Sequence, residues 1–452
     1  MAAIITQNLR FHNSEQFVEM FDESANTILY AFIGRTYPWQ SSLDSTGTVP
    51  AQIDNGELTF NLYDHMIAMK RVLGTDVEFV VPRYNWVTGT VYNYYDHQSN
   101  TLFNPDVTTR VGLAGSVQRE QQPFYVLDGS TFNVYKCLNN SKGAPSVVRP
   151  TGTSANVVIM GDGYHWKYMY TIPSAKRNKF TNSDFMYVTD SNYSSNIDGG
   201  LDIVVVTNGG SGYTSAPNVI ITGDGIGASA NVTLSGNSVS NVTIITKGSG
   251  YRYANVVFSG GGGSNARARV LIPPKGGHAS NAKYELGGFY VMLSPQLINE
   301  EAGEFPIDND FRLAGIIKDP IVYSSELRAA GSTYRINKKL CLANVTGTFS
   351  LDEFILGGNS KANASITSIV NDGGNLKANL YYFQANGFTA NANAFSIGDV
   401  VTGVTSGATG NLISVVNEGI QPDTGKILYI DAFRPIQRAA DQTEQLQLVI
   451  EF

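Results

Sequence analysis

Five histidines, two cysteines and a few acidic runs hold whatever chemistry this 452-residue chain could perform. His12, His65, His97, His165 and His278 stand in no His-Glu-x-x-His or other metal-ligand spacing, so each reads as a surface or internally satisfied residue. Asp162 and His165 could form an acid–base pair. However, Gly161-Asp162-Gly163 reads as a turn before an aromatic strand, and no nucleophile is placed nearby. Asp308-Asn309-Asp310, preceded by Glu300, Glu301 and Glu304, offers the hard oxygens that calcium takes. It lacks the EF-hand glycine and the terminal bidentate glutamate, and reads as a solvated acidic loop. Gly223-Asp224-Gly225-Ile226-Gly227 has the glycine spacing of a nucleotide loop, but β-rich sequence follows where a helix is required. There is no Gly-x-Ser-x-Gly elbow, Walker loop or kinase signature. Cys137 and Cys341 make neither a disulfide framework nor a Cys-x-x-Cys pair and read as small core residues. The expectation is a protein that is not an enzyme, with no catalytic, metal or cofactor residues.

The elements around these residues are mostly strands. Gly210-Ser211-Gly212-Tyr213 returns 38 positions later as Gly248-Ser249-Gly250-Tyr251, each time after a β-branched run. Asn218-Val219-Ile220-Ile221 and Asn255-Val256-Val257-Phe258 follow the two tyrosines. A glycine-rich turn and an Ala-x-Ala step come next, Ala228-Ser229-Ala230 and Ala266-Arg267-Ala268. Downstream, Phe349-Ser350-Leu351-Asp352-Glu353 matches Phe395-Ser396-Ile397-Gly398-Asp399 at an offset of 46. The register holds through Gly357/Gly403, Ser360/Ser406, Ala362/Ala408 and Ser368/Ser414. A repeated strand–turn–strand unit is usually architecture, built by stacking like on like.

The single elements can be placed as well. Asn13 with Gln16 has capping-box spacing, and Phe17, Met20 and Phe21 give that helix an apolar stripe. Thr27–Ile33 predicts a buried strand, Asp64 a second helix running through Met66, Ile67 and Met69, and Val77–Val81 a strand. Phe124–Leu127 and Phe132–Leu138 predict a hairpin around Asp128-Gly129, and Trp166–Ile172 an aromatic strand. The last residues, Leu446–Phe452, alternate apolar and polar and predict a strand with one buried and one wet face.

Composition agrees with a β protein. Apolar residues make up 42% of the chain, while charged residues, at 15%, fall below the roughly 25% of soluble domains. The length leaves room for about three domains. A net charge of −7 without a Lys/Arg cluster argues against a nucleic-acid partner, which needs a basic face. No run reaches the ~20 apolar residues of a membrane span, and the N-terminus lacks the charged and apolar regions of a secretory signal, so cytoplasmic synthesis without membrane association is expected.

One family resemblance emerges from blocks spread along the chain. Met160-Gly161-Asp162-Gly163-Tyr164-His165-Trp166-Lys167-Tyr168-Met169-Tyr170-Thr171-Ile172-Pro173 resembles a segment of the smaller β-rich baseplate wedge subunit of T-even-type contractile-tailed bacteriophages, the wedge subunit numbered eight. Ile28–Arg35 with Pro38-Trp39, Val81-Pro82-Arg83 with Trp86, and Val134–Leu138 resemble further blocks in the same order. Phe311-Arg312 with Ile316, Ile317 and Pro320 follows, then Arg434-Pro435 with Asp441-Gln442-Thr443-Glu444. The matches avoid both duplications, which therefore look like insertions.

The resemblance and the strand pattern together predict a mainly β, elongated, multi-domain β-sandwich-type protein with a few short helices and two inserted duplicated modules. The expected parts are a mixed α/β region 1–110, a β-sandwich 111–200, an inserted repeat module 201–274, continued core 275–344, a second inserted module 345–419 and C-terminal strands 420–452. The family implies a virion structural protein, a homodimer within each of six wedges, contacting other wedge proteins in a baseplate that rearranges to trigger sheath contraction. Interface anchors are expected among aromatic and arginine residues near turns: Arg35, Tyr37 and Trp39; Arg83, Tyr84 and Trp86; Phe433 and Arg434. The rival reading is a peripheral carbohydrate- or receptor-binding tail protein, whose Tyr- and Asn-rich repeats stack on sugars.

Overall fold

The structure is a computed structural model and describes residues 6–22, 27–36, 38–39, 49, 63, 65–99, 102–103, 123–190, 197–298, 304–305, 310–371, 377–384, 393–439 and 441–452. Tyr37, Asp64, Glu300, Glu301, Asp308 and Asn309 lie outside the described residues. The chain is mainly β, and its antiparallel sheets fall into two compact units, one of residues 1–15, 78–292 and 449–452, the other of 16–77 and 293–448.

The first unit contains the sheet Tyr125–Leu127, Asn133–Asn140, Tyr164–Thr171, Val158–Ile159 in spatial order. The predicted hairpin is there, with Tyr125 opposite Lys136 and Leu127 opposite Val134. Its core is aromatic: Trp166 is fully buried and stacks on Tyr164 at 5.6 Å, with Tyr92 edge-on. A second sheet runs Leu448–Glu451, Tyr290–Leu293, Val77–Pro82, Phe185–Tyr187. All four residues of its terminal strand are half-buried, so the expected division into wet and dry faces is absent.

The 38-residue repeat forms one six-stranded sheet, ordered Asn218–Gly223, Ala254–Ser259, Ser264–Val270, Val204–Ser211, Ser238–Ser249, Ile226–Ser235. Equivalent residues meet across a pseudo-two-fold axis: Val204 pairs Val242 and Ile220 pairs Val257, while the pairs Val219–Phe258 and Ile221–Val256 exchange roles. The long hairpin pairs Ile226 with Ser249, and its counterpart pairs Ser264 with Ser211. The repeated tyrosines interlock the copies. Tyr213 lies against Gly263 of the second copy, and Tyr251 against Gly225 of the first, and both tyrosines are 4% exposed. Gly210 and Gly248 have φ near +63° and +64°, so the left-handed step recurs with the sequence.

In the second unit, the sheet Thr333–Arg335, Met66–Arg71, Leu29–Gly34, Asp310–Lys318, Lys426–Gln437 packs Tyr30, Phe32, Met69 and Leu313 into its core. Met66–Arg71 is a strand, which corrects the helix expected there. The run pairs along its length with Leu29–Gly34, and tertiary pairing overrode a helical spacing only a few residues long. The N-terminal helix is Gln7–Asp22, beginning six residues ahead of Asn13, which therefore lies inside it.

The 46-residue repeat closes into a barrel, Lys338–Thr346, Lys377–Gln384, Asn363–Asn371, Phe354–Gly357, Val400–Gly403, Thr409–Val416. Leu356 pairs its own equivalent, Thr402, at one seam, and Leu340 pairs Leu380 at the opposite one. The second copy thus takes its third strand from the chain that precedes the first copy.

Two buried carboxylates at equivalent positions bind the copies to each other. Glu353 accepts hydrogen bonds from its own turn (Ser350 N, 2.6 Å) and from the other copy (Thr405 N, 3.2 Å; Ser406 N, 2.9 Å; Ser406 Oγ, 2.8 Å). Asp399 does the same with Ser396 N at 3.1 Å and with Asn359 N and Ser360 N, both at 3.0 Å. Phe349 and Phe395 plug the barrel interior beside them.

Candidate interface site

Arg35, Trp39, Phe433 and Arg434 are brought together in the second unit. The strand Leu29–Gly34 has a bulge at its end, where Ile33 faces Ala68 but Gly34 faces Met66. Arg35 follows with φ +55°, a left-handed conformation uncommon outside glycine, and its N–H donates to His65 O at 2.8 Å. From there its guanidinium lies 4.0 Å over the Trp39 ring and donates to Pro38 O at 3.2 Å. Trp39 is half-buried against the core and donates through Nε1 to Phe433 O at 3.3 Å. Phe433 and Arg434 lie on the edge strand Lys426–Gln437, at a second bulge: Phe311 faces Ile436 while Leu313 faces Ala432. Phe433 packs edge-on against Phe311, and Arg434 is exposed. The Arg–Trp pair is therefore a built corner that also holds the edge strand by its backbone.

Arg83, Tyr84 and Trp86 belong to the first unit and are fastened within it. Arg83 donates to Asn182 O at 2.7 Å and to Asn85 Oδ1 at 3.0 Å. Tyr84 packs edge-on against Tyr125 at 5.3 Å, and Trp86 donates to Ser146 Oγ at 3.2 Å while resting on the aromatic core.

The residues with chemical potential are also internally engaged. Asp162 accepts from Val147 N, Val148 N, Tyr164 N and Ser146 Oγ. Burial pushes its carboxyl up, but these bonds outweigh it and hold the group below the ordinary aspartate value. Glu304 accepts from Arg335 N at 2.7 Å and Asp310 pairs with Arg312 at 2.9 Å. Among the described residues, no cluster of three or more His, Cys, Asp or Glu could hold a metal ion, and no helix is long and apolar enough to cross a membrane. Cys137 is buried and Cys341 half-buried.

His65, whose carbonyl holds Arg35, is pushed down to about 4, first by burial and then by the Arg35 cation. An unfolded chain takes up this proton near pH 6.5, whereas the folded one resists until about 4. Stability is therefore lost as pH falls through that window, by about 2 kcal/mol after allowing for partial exposure. Urea midpoints at pH 7 and 4.5 should move closer together in His65→Gln than in the parent chain. An unchanged gap would remove His65 from the acid response.

Sequence reasoning missed a third constellation, in the first unit. The side chains of Lys136, Lys167, Asp202, Glu285 and His278 are all buried, and half-exposed Lys247 pairs with Asp202 at 2.6 Å. A signal was present: Lys136 and Lys167 each interrupt an aromatic–aliphatic strand, and lysine is almost never fully buried unless paired. His278 also departs from the expected satisfied histidine, since neither ring nitrogen has a partner among the described residues.

The arrangement is that of a packed multi-sheet β protein with two duplications, in each of which the two copies hold each other. Over 211 residues the chain is 24% identical to the baseplate wedge protein gp8 of Enterobacteria phage T4, covering 40% of this chain. The match spans 59% of that relative's length. No family model matches the chain.

Proposed function

We propose that this protein is a non-enzymatic structural subunit of a phage tail baseplate, of the wedge type, carrying two β modules inserted in that body. The similarity to the T4 wedge protein carries the reading, and the multi-sheet β architecture supports it. In this reading the chain is made in the host cytoplasm and resides in the virion. It dimerises within each of six wedges, contacts the other wedge proteins and moves as a rigid unit when the baseplate rearranges to trigger sheath contraction. Packed sheets suit that task because they resist deformation, leaving movement to interfaces and hinges.

Light scattering of the purified chain, alone and with the other wedge proteins of its phage, tests the proposal. A dimer that enters a larger defined complex is expected, and a monomer that ignores those proteins would overturn it. Arg434→Ala is expected to weaken complex formation at least tenfold without loss of fold, whereas Trp39→Ala also destabilises the second unit by about 3 kcal/mol. Arg434→Ala assembling like the parent would take the Arg35–Trp39–Arg434 corner off the interface.

The carbohydrate-binding rival fares less well in the repeat sheet, because Tyr213 and Tyr251 are buried; the exposed aromatic there is Tyr253, at 61%. Glycan screening follows only if the chain fails to assemble.

A further inference from the structure

The buried charges of the first unit lie where the repeat sheet joins its surroundings. Residues 198–203 lead into the sheet and 271–281 lead out of it. Gly276 N donates to Asp198 Oδ1 at 2.7 Å, Ile272 N to His97 Nδ1 at 3.2 Å, and Tyr95 Oη to Ile272 O at 3.2 Å. Arg269, on the strand Ser264–Val270, reaches Asp96 at 2.8 Å and Tyr94 Oη at 3.1 Å. Lys247, on the strand Ser238–Ser249, reaches Asp202, which also lies 4.0 Å from Lys167. Apolar contact with the surroundings at this root comes from a small cluster of Leu138, Ile203 and Leu271 with half-buried neighbours, while Leu201 and Ile272 pack into the repeat sheet's own core. The module is thus rooted largely through polar groups.

His278 sits in the exit segment in an unusual setting. Its flanks are left-handed, Gly277 at φ +92° and Ala279 at +65°, and a non-glycine residue held there signals a conformation imposed by its surroundings. Glu285 imposes it: its carboxylate accepts from Ala279 N at 3.0 Å and Asn281 N at 3.2 Å while pairing with buried Lys136. The imidazole meets Tyr95 edge-on at 5.0 Å, and Lys136 lies 4.8 Å from the centre of that same ring. The charged and titratable groups around it are Lys136, Lys167, Lys247 and His97, with Glu285, Asp202, Asp96 and Arg269 in the same network.

We propose that His278 is an acid-sensitive latch: protonated, it no longer fits among the three lysines, the segment 271–281 lifts, and the repeat sheet is released from its root. The acceptors that would welcome an imidazolium are already engaged, Glu285 by Lys136 and two backbone amides, Asp202 by Lys247 and Lys167. Burial first, then Lys136, Lys167, Lys247 and His97, hold the ring neutral far below the ordinary histidine range. Opening exposes it to water, where it takes up a proton near pH 6.5. The fraction open therefore rises as pH falls below that value, about tenfold per pH unit for each proton bound. This inference does not depend on the baseplate reading.

Hydrogen exchange followed by mass spectrometry on the full chain from pH 7.5 to 4.5, corrected for intrinsic rates, reads the latch directly. In the parent chain, protection of 198–203 and 271–281 is expected to fall about tenfold per pH unit below pH 6.5, while Tyr125–Leu127 holds. His278→Phe keeps the contact with Tyr95 and removes the titrating group, so its slope should drop by one decade per unit, any residue belonging to His97. A parent chain without a slope, or His278→Phe with the parent's slope, overturns the proposal. Should Phe not fold there, His278→Gln is read in the same way.

Discussion

Glu353→Ala is expected to cost the barrel about 4 kcal/mol, because it removes a buried carboxylate and leaves the amides of Ser350, Thr405 and Ser406 and the Ser406 hydroxyl without their acceptor. Protection of Phe354–Gly357 and Val400–Gly403 in hydrogen exchange should then fall roughly a thousandfold, unless global opening already sets the limit. Asp399→Ala should do the same damage from the other copy, since it removes the acceptor of Ser396, Asn359 and Ser360. Glu353→Gln should cost about half as much, because one oxygen still accepts while the new amide faces donors. If Glu353→Ala changed exchange less than tenfold, the barrel copies would be held by their apolar core alone.

These carboxylates mark the limit of what the sequence disclosed. The offset of 46 was visible, and Glu353 and Asp399 are aligned by it. Composition cannot show that each carboxylate clamps the opposite copy, because the exchange depends on how the strands close. The strand preceding the first copy completes the second through pairing that has no local signature. Gly357 and Gly403 were visible as a matched pair of the repeat, yet their reason is tertiary: a Cβ at either would crowd the clamping carboxylate, 2.9 Å from Asp399 Oδ2 and 2.7 Å from Glu353 Oε2.

Elsewhere, the strand Leu29–Gly34 was readable because burial on both faces leaves an unbroken apolar signal. Met66–Arg71 failed because a six-residue strand carries too few positions to separate the periods 2 and 3.6. The Arg35–Trp39 corner was legible as a cluster, whereas its link to Phe433 spans almost the whole chain. Lys136, Lys167 and His278 escaped notice because they come from separate strands and a loop, and only folding makes them neighbours.

The repeat sheet permits a sharper experiment, because its symmetry supplies its own control. A Cβ at Gly225 would lie 2.5 Å from Tyr251 Cδ2 and 2.6 Å from Ser249 O; at Gly263 it would lie 2.5 Å from Tyr213 Cδ2 and 2.6 Å from Tyr213 N. Neither glycine has a positive φ, so alanine brings a steric penalty and no backbone strain. Gly225→Ala is expected to cost about 3 kcal/mol by overpacking, and Tyr251→Ala about 4 kcal/mol by emptying a buried aromatic site. Together they should cost about 2 kcal/mol less than their sum, because the ring that clashes is gone. Gly225→Ala with Tyr213→Ala should instead add, since that tyrosine packs on Gly263. Denaturation of the three single and two double variants decides the matter. Equal coupling of Gly225 to both tyrosines would mean that the copies do not interlock, and a cost near zero for Gly225→Ala would mean that the ring moves aside freely. The predicted pattern is instead what makes two weakly similar 38-residue stretches keep the same glycine and the same tyrosine: each copy's ring fills the space that the other copy's missing side chain leaves open.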